Sequence, residues 1–161
     1  MPAIEAHLAG GGEWRLAEEH PAKLAMLVFY CGAHCPICPR WLGQLERVAP
    51  RFVEHGVSVI ALSCDDREAA ERARREWKLE ALRIGYGIEP EDARKAGIYI
   101  SEDDKSVLRV EPAILVVKPE EGTLYAAWVQ SQQHARPHFS EVLAAVESML
   151  AHGVPRPRGA A

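Results

Sequence analysis

The sequence predicts an α/β domain, with a central mixed sheet and helices on both faces. Three observations carry this. Apolar runs of strand length alternate with helically spaced amphipathic segments in the first half of the chain. Two later apolar runs are separated by a short turn, as in an antiparallel hairpin. No internal repeat or second core is visible, and 161 residues suffice for one domain with a real core. The expected layout is a single domain over 1–161, with its core at about 13–152 and loose ends at 1–12 and 153–161.

Met1 to Gly12 closes on Gly10-Gly11-Gly12 and reads as a loose lead-in. Trp14 to His20 fits either a short helix or an edge segment. Lys23 to Tyr30, KLAMLVFY, is a nearly continuous apolar run bounded by Pro21 and Gly32, which suits a buried strand. From Pro39 to His55, Trp41, Leu42, Leu45, Val48, Ala49 and Phe52 recur at helical spacing, with Pro50 placed to kink or shorten the helix. Gly56 suits its C-terminus. Val57 to Ser63 is a second buried strand. A right-handed crossover makes it parallel and adjacent to the first. The charges from Asp65 to Arg75 are mixed in sign and read as the solvated face of a helix over Asp65–Lys78, with Ala69, Ala70, Ala73 and Trp77 inward. Leu79 to Gly87 is ambiguous, and Pro90 to Ala96 suits a short helix. Ala113–Val117 and Thr123–Val129 form the hairpin around Lys118–Gly122. Phe139 to His152 closes the fold as an amphipathic helix, followed by a frayed tail from Gly153.

Composition narrows the function. The net charge of −4 gives no basic face for nucleic acid. No apolar run reaches the roughly 20 residues of a membrane span. The N-terminus lacks a basic start and an apolar signal core, so a cytoplasmic protein is expected. There are four cysteines, too few for a disulfide scaffold. Three of them, Cys31, Cys35 and Cys38, are close neighbours, and in a reducing compartment this points to chemistry.

That segment, Phe29-Tyr30-Cys31-Gly32-Ala33-His34-Cys35-Pro36-Ile37-Cys38-Pro39, sits where a buried strand turns into a helix. Sites in open α/β sheets form beyond the carboxyl ends of strands. A helix N-terminus presents free N–H groups and partial positive charge, which favour thiolate. A Cys-x-x-Cys pair there has its first thiol pKa lowered, and its sulfurs lie close enough to form and break a disulfide. Pro36 and Pro39 both suit the first helical turn, so the helix starts either at Cys35-Pro36 or at Cys38-Pro39. The competing readings are inert buried cysteines and metal. Cys31, Cys35 and Cys38 spell C-x3-C-x2-C, an iron–sulfur spacing, but the chain is short for the enzymes that use it. Four ligands in one strand–helix turn, with His34 as the fourth, suit zinc poorly. No metal is expected.

FYCGAHCPICPRWLGQLE, VSVIALSCDD and EPAILVVKPEEGTLYAAWVQSQ resemble the thioredoxin-like superfamily, and within it peroxiredoxin-like proteins related to alkyl hydroperoxide reductase and thiol-specific antioxidant. The likeness runs from about Lys23 to Leu150 and implies a thioredoxin-like fold. It places Cys38 on the peroxidatic cysteine, Pro39 on the proline after it, Cys35 on the family's threonine and Cys31 on its first proline. Cys35 thus replaces a peroxide-orienting hydroxyl and creates a thioredoxin-type Cys-Pro-Ile-Cys. Pro112 stands where the peroxidase arginine is expected. A proline there is the thioredoxin signature, which implies a cis Glu111–Pro112 bond beside the pair; the other reading is an ordinary trans proline before an edge strand. Arg136 lies where the family has a further arginine, and suits either a site role or a surface loop.

The expected activity is that of a thiol oxidoreductase using Cys35 and Cys38 on peroxides or disulfides. With a peroxide, the resemblance favours attack by Cys38 and resolution by Cys35. With a disulfide, the thioredoxin likeness reverses the roles. Cys31 and Cys64 are further thiols at strand ends, Cys64 reading more as a bystander. His34 suits proton transfer or an exposed loop. His134 and His138 read as structural or solvent-exposed, and Trp41 as a core anchor. No nucleotide-binding glycine fingerprint is present and no cofactor is expected, so electrons come from a thioredoxin or a small thiol. A non-catalytic redox sensor is the alternative. Trp128, on the hairpin, suits either the core or a homodimer face.

Overall fold

A computed structural model describes residues 1–152. The expected frayed tail from Gly153 lies outside them. The elements are β1 (Glu5–Leu8), β2 (Glu13–Arg15), a 3-10 turn (Leu16–Glu18), β3 (Leu24–Phe29), α1 (Cys38–Glu54), β4 (Val57–Leu62), α2 (Arg67–Glu76), β5 (Arg83–Tyr86), α3 (Pro90–Lys95), β6 (Ile100–Glu102), β7 (Leu108–Val110), β8 (Ala113–Lys118), β9 (Thr123–Val129) and α4 (Phe139–Ala151). A seven-stranded mixed sheet runs β2-β1-β5-β4-β3-β8-β9.

β3 is the middle of this sheet. It pairs in parallel with β4, Leu24 facing Val57 through Phe29 facing Leu62, and antiparallel with β8. All six of its residues are buried. Both sheet faces there are covered, which is why the run is continuously apolar rather than alternating. Met26, Val28 and Tyr30 face one core with Leu42, Leu45 and Phe52 of α1 and Phe139, Val142 and Val146 of α4. Ala25, Leu27 and Phe29 face the other, with Ala93 of α3. α1 runs through Pro50, which is exposed, because Ala49 and Phe52 continue its buried stripe across the proline. The Glu46 carboxylate accepts the N–H groups of Glu80, Ala81 and Leu82 at 2.6–3.1 Å, tying α1 to the loop before β5.

Three expectations are corrected. The lead-in is not loose. Ile4 and Ala6 are buried, 1% and 5% exposed, and β1 joins β5 and β2 in the sheet. The short alternating stretch packs because the β1–β2 hairpin covers the sheet edge, so the core begins before residue 13. Second, the Glu111–Pro112 bond is trans, as is every peptide bond among the described residues. Glu111 donates to the Tyr99 carbonyl at 2.8 Å, and Pro112 accepts from Gln130 at 3.0 Å. These contacts draw the chain out straight from β7 into β8. Third, Asp65 is not on a solvated helix face. It is 3% exposed, and α2 starts only after Asp66, whose carboxylate caps it by accepting the Ala69 N–H. Trp14 to His20 turns out to be both an edge strand and a 3-10 turn, and Leu79–Gly87 holds β5.

Candidate functional site

The site forms where β3 and β4 end. β3 leads through Tyr30 and Cys31 into a tight loop. Gly32 adopts φ +132°, and a Cβ there would lie 2.6 Å from Asp65 Oδ1, so only glycine fits. The Asp65 carboxylate accepts the Ala33 N–H at 2.8 Å, and Cys35 donates its N–H to the Gly32 carbonyl at 3.1 Å. α1 then begins at Cys38, with Ile37 as N-cap and Pro39 in the first turn. Of the two starts open to the sequence, this is the second. It leaves Cys35 just ahead of the helix, facing its free N–H groups.

The sulfurs of Cys31, Cys35 and Cys38 all lie within 4.8 Å of one another, and all three residues are buried. One guanidinium spans them. Arg136 Nη1 donates to Cys38 Sγ at 3.2 Å, and Nη2 donates to Cys35 at 3.3 Å and to Cys31 at 3.4 Å. Arg136 is held in turn by Nε donating to the Gln133 carbonyl at 2.6 Å. Its guanidinium carbon lies 4.9 Å from the centre of the Trp41 ring. Trp41 stacks on Phe139 at 5.0 Å and donates Nε1 to the Pro137 carbonyl at 3.0 Å. The tryptophan therefore anchors the loop before α4 and serves as the platform for its arginine.

Charge in the cluster collects on one sulfur. Cys35 is held well below the usual thiol range because Cys31 and Cys38 donate to it, joined by the backbone N–H groups of Ile37 and Cys38. Cys31 is pushed up because its proton is bonded to Cys35 and to Cys38, and by burial. Cys38 would be eased down by Cys31, but donation to Cys35 and burial outweigh this and raise it. Burial works against the Arg136 charge, yet the sulfurs around it, Cys38 foremost, push its pKa up. Among the described residues these three sulfurs are the one group close enough to ligate a metal. A cation there would face a guanidinium already bonded to every sulfur.

Cys64 is elsewhere. It is half-buried and packs against the opposite core. Burial pushes its thiol up to about 11. Its neighbour Asp65 pairs with Arg109 at 3.0 Å, and Arg109 Nε reaches Asp103 at 3.2 Å. Burial raises the Asp65 pKa, opposed by the Ala33 N–H and Arg109. His34 is exposed and has no hydrogen bond to a sulfur among the described residues. Pro112 is buried next to Ala113, which pairs with Phe29 at the site end of β3. Thus Cys31, Cys35, Cys38 and Arg136 come together, while Cys64 and His34 stay outside. Asp65, Arg109 and Gln133 were not anticipated as neighbours of the site. Only the strand-end position of Asp65 pointed to it.

The AhpC/TSA family profile matches residues 1–126. The chain belongs to the AhpC/TSA family. Membership makes it a thiol oxidoreductase, and the match includes all four cysteines but stops before Arg136. No curated protein sequence matches this AhpC/TSA member. Solved structures share its thioredoxin-like fold. Peroxiredoxin 6 of Arenicola marina superposes with a TM-score of 0.75 at 19% identity, covering 93% of this chain and 71% of that one. AhpC of Mycobacterium tuberculosis gives 0.77 at 14%, covering 96% and 92%. The reduced 2-Cys peroxiredoxin of Plasmodium vivax gives 0.78 at 15%, covering 100% and 89%.

Proposed function

We propose that this chain reduces peroxides with the Cys35 thiolate, and that Cys38 resolves the product. The carrying observation is the place of Cys35 Sγ, just ahead of the start of α1, within 4.8 Å of the two other sulfurs and 3.3 Å from Arg136 Nη2. The thiolate attacks the terminal peroxide oxygen and the O–O bond breaks. A proton joins the departing alkoxide, which leaves as alcohol or water, and Cys35 becomes a sulfenic acid. The Cys38 thiol attacks that sulfur, water leaves, and a Cys35–Cys38 disulfide remains. A dithiol protein or small thiol then reduces it by exchange. The family likeness puts attack at Cys38; the downward shift of Cys35 and the upward shift of Cys38 argue for Cys35.

The same lowered first thiol favours a second reading, exchange with protein disulfides. The test is thiol loss against hydrogen peroxide in wild type, Cys35→Ser and Cys38→Ser, with free cysteine as reference. Loss much faster than the reference in wild type and Cys38→Ser, and abolished in Cys35→Ser, is expected. Fast loss in Cys35→Ser but not in Cys38→Ser returns the attack to Cys38. Wild-type loss no faster than free cysteine rejects peroxide reduction. A mixed disulfide trapped in Cys38→Ser would then support exchange.

A further inference from the structure

Cys31 has no part in the scheme above, although its sulfur lies within 4.8 Å of both others and shares Arg136 Nη2 with Cys35. We infer that Cys31 is a third redox thiol, which exchanges into the Cys35–Cys38 disulfide and releases Cys35 as a free thiolate before any external reductant arrives. This rests on the peroxide reading only for the source of the first disulfide.

In the reduced cluster the Cys31 proton is bonded to Cys35, which carries the charge, and to Cys38, and this keeps it a thiol. Forming the Cys35–Cys38 disulfide removes that charge. Arg136 then faces one sulfur able to ionise, Cys31, at 3.4 Å from Nη2. The opposite charge now favours thiolate there, and the Cys31 proton leaves to solvent. The new thiolate has two sulfurs to attack. Exchange is faster when the departing thiol has the lower pKa, and Cys35 lies just ahead of the start of α1, where the free N–H groups of the helix favour its thiolate. Attack on Cys38 Sγ therefore forms Cys31–Cys38 and breaks Cys35–Cys38, with the electron pair leaving on Cys35. One disulfide is exchanged for another, so no oxidant or reductant is consumed. The sulfurs must close to the S–S bonding distance of about 2.05 Å from gaps of no more than 4.8 Å. The result is an oxidised centre that again presents its attacking thiolate.

The experiment places one disulfide in the wild-type chain with a single equivalent of diamide, an oxidant that needs no peroxidase chemistry. The product is acid-quenched, alkylated with N-ethylmaleimide and peptide-mapped. Label on both Cys31 and Cys35 is expected, with at least about a tenth on the minor site, the share that a tenfold bias leaves. Label on Cys31 with none on Cys35 overturns the inference. A second arm adds peroxide and dimedone to the same oxidised protein. A dimedone adduct on Cys35 is expected in wild type and not in Cys31→Ser, where Cys35–Cys38 has nothing to exchange with. Equal adducts in both contradict it. Mixed label after diamide, with peroxide no faster than on free cysteine, leaves the exchange standing and removes the peroxide reading. Fast peroxide reduction with label on Cys31 alone does the reverse.

Discussion

Two neighbouring strands, β3 and β4, each lead into a loop that carries a cysteine with an arginine near it, with opposite outcomes. Beyond β3, Arg136 meets three sulfurs, and among the described residues none of its side-chain hydrogen bonds goes to a carboxylate. Beyond β4, Arg109 is bonded to both Asp65 and Asp103. The first arginine bonds the sulfurs directly, whereas the second is shared between two carboxylates and its pull on Cys64 is outweighed by burial. Helix direction adds to the contrast: Cys35 faces N–H groups at the start of α1, whereas Cys64 precedes a helix whose start is capped by Asp66. Cys35 is therefore held low, while burial leaves Cys64 at about 11.

The largest effect is expected from Arg136→Met, which keeps a side chain over Trp41 and removes the charge. The reactive thiol pKa should rise by about 1–3 units, read from the pH dependence of iodoacetamide alkylation, with slower peroxide reduction at neutral pH. An unchanged profile would mean that the helix N-terminus alone holds the thiolate.

Asp65→Asn breaks the other arrangement. It leaves Arg109 paired with Asp103 and weakens the bond to Ala33. A stability loss of about 2 kcal/mol in denaturant unfolding is expected, below the ~3–5 of a fully broken buried pair.

The two thiols should also give stability opposite slopes with pH. Cys35 is ionised in the folded chain and protonated in the unfolded one. Its contribution is absent below its folded pKa, grows as pH rises, and is complete near the free thiol value of about 8.5. Cys64 stays protonated when folded, so between about 8.5 and its folded value of about 11 it makes stability fall as pH rises. Unfolding of reduced Cys35→Ser below about pH 8.5, and of Cys64→Ala above it, should flatten the first slope and the second, respectively. At pH 7 a thiol of pKa near 11 is only about 10⁻⁴ ionised, so Cys64→Ala should leave peroxide reduction unaltered.

The smallest effect is expected from Trp41→Phe, which keeps a ring under Arg136 and deletes the bond to the Pro137 carbonyl. A loss of about 1 kcal/mol is expected in the same unfolding measurement.

Much of this was legible in the residues. Continuous apolar runs marked β3, β4 and β8, and helical spacing marked α1 and α4, because their burial is nearly complete. The Cys-Pro-Ile-Cys segment marked the strand-to-helix turn. β1, β6 and β7 were missed because three or four residues are too few to show a period. β6 and β7 are also largely exposed and joined by a turn in which Asp103 accepts the Lys105 and Val107 N–H groups. Asp65 looked solvated because it opens a charged run, yet it lies buried in the loop just beyond β4 and its partner Arg109 is far away in sequence. The family likeness pointed to Arg136. Its contact with three sulfurs depends on Trp41 fixing the loop before α4, a long-range contact that no local pattern encodes.

The claim that one cluster thiol carries the charge, and that it is Cys35, is tested most directly by ultraviolet titration of thiolate in the reduced protein. Wild type, Cys35→Ser and Cys64→Ala would be titrated side by side. The account predicts one thiolate already formed at neutral pH in wild type and Cys64→Ala, and missing from Cys35→Ser. A wild-type protein whose first thiolate appears only above about pH 8.5, the ordinary thiol value, would contradict it, as would a neutral-pH thiolate that survives in Cys35→Ser.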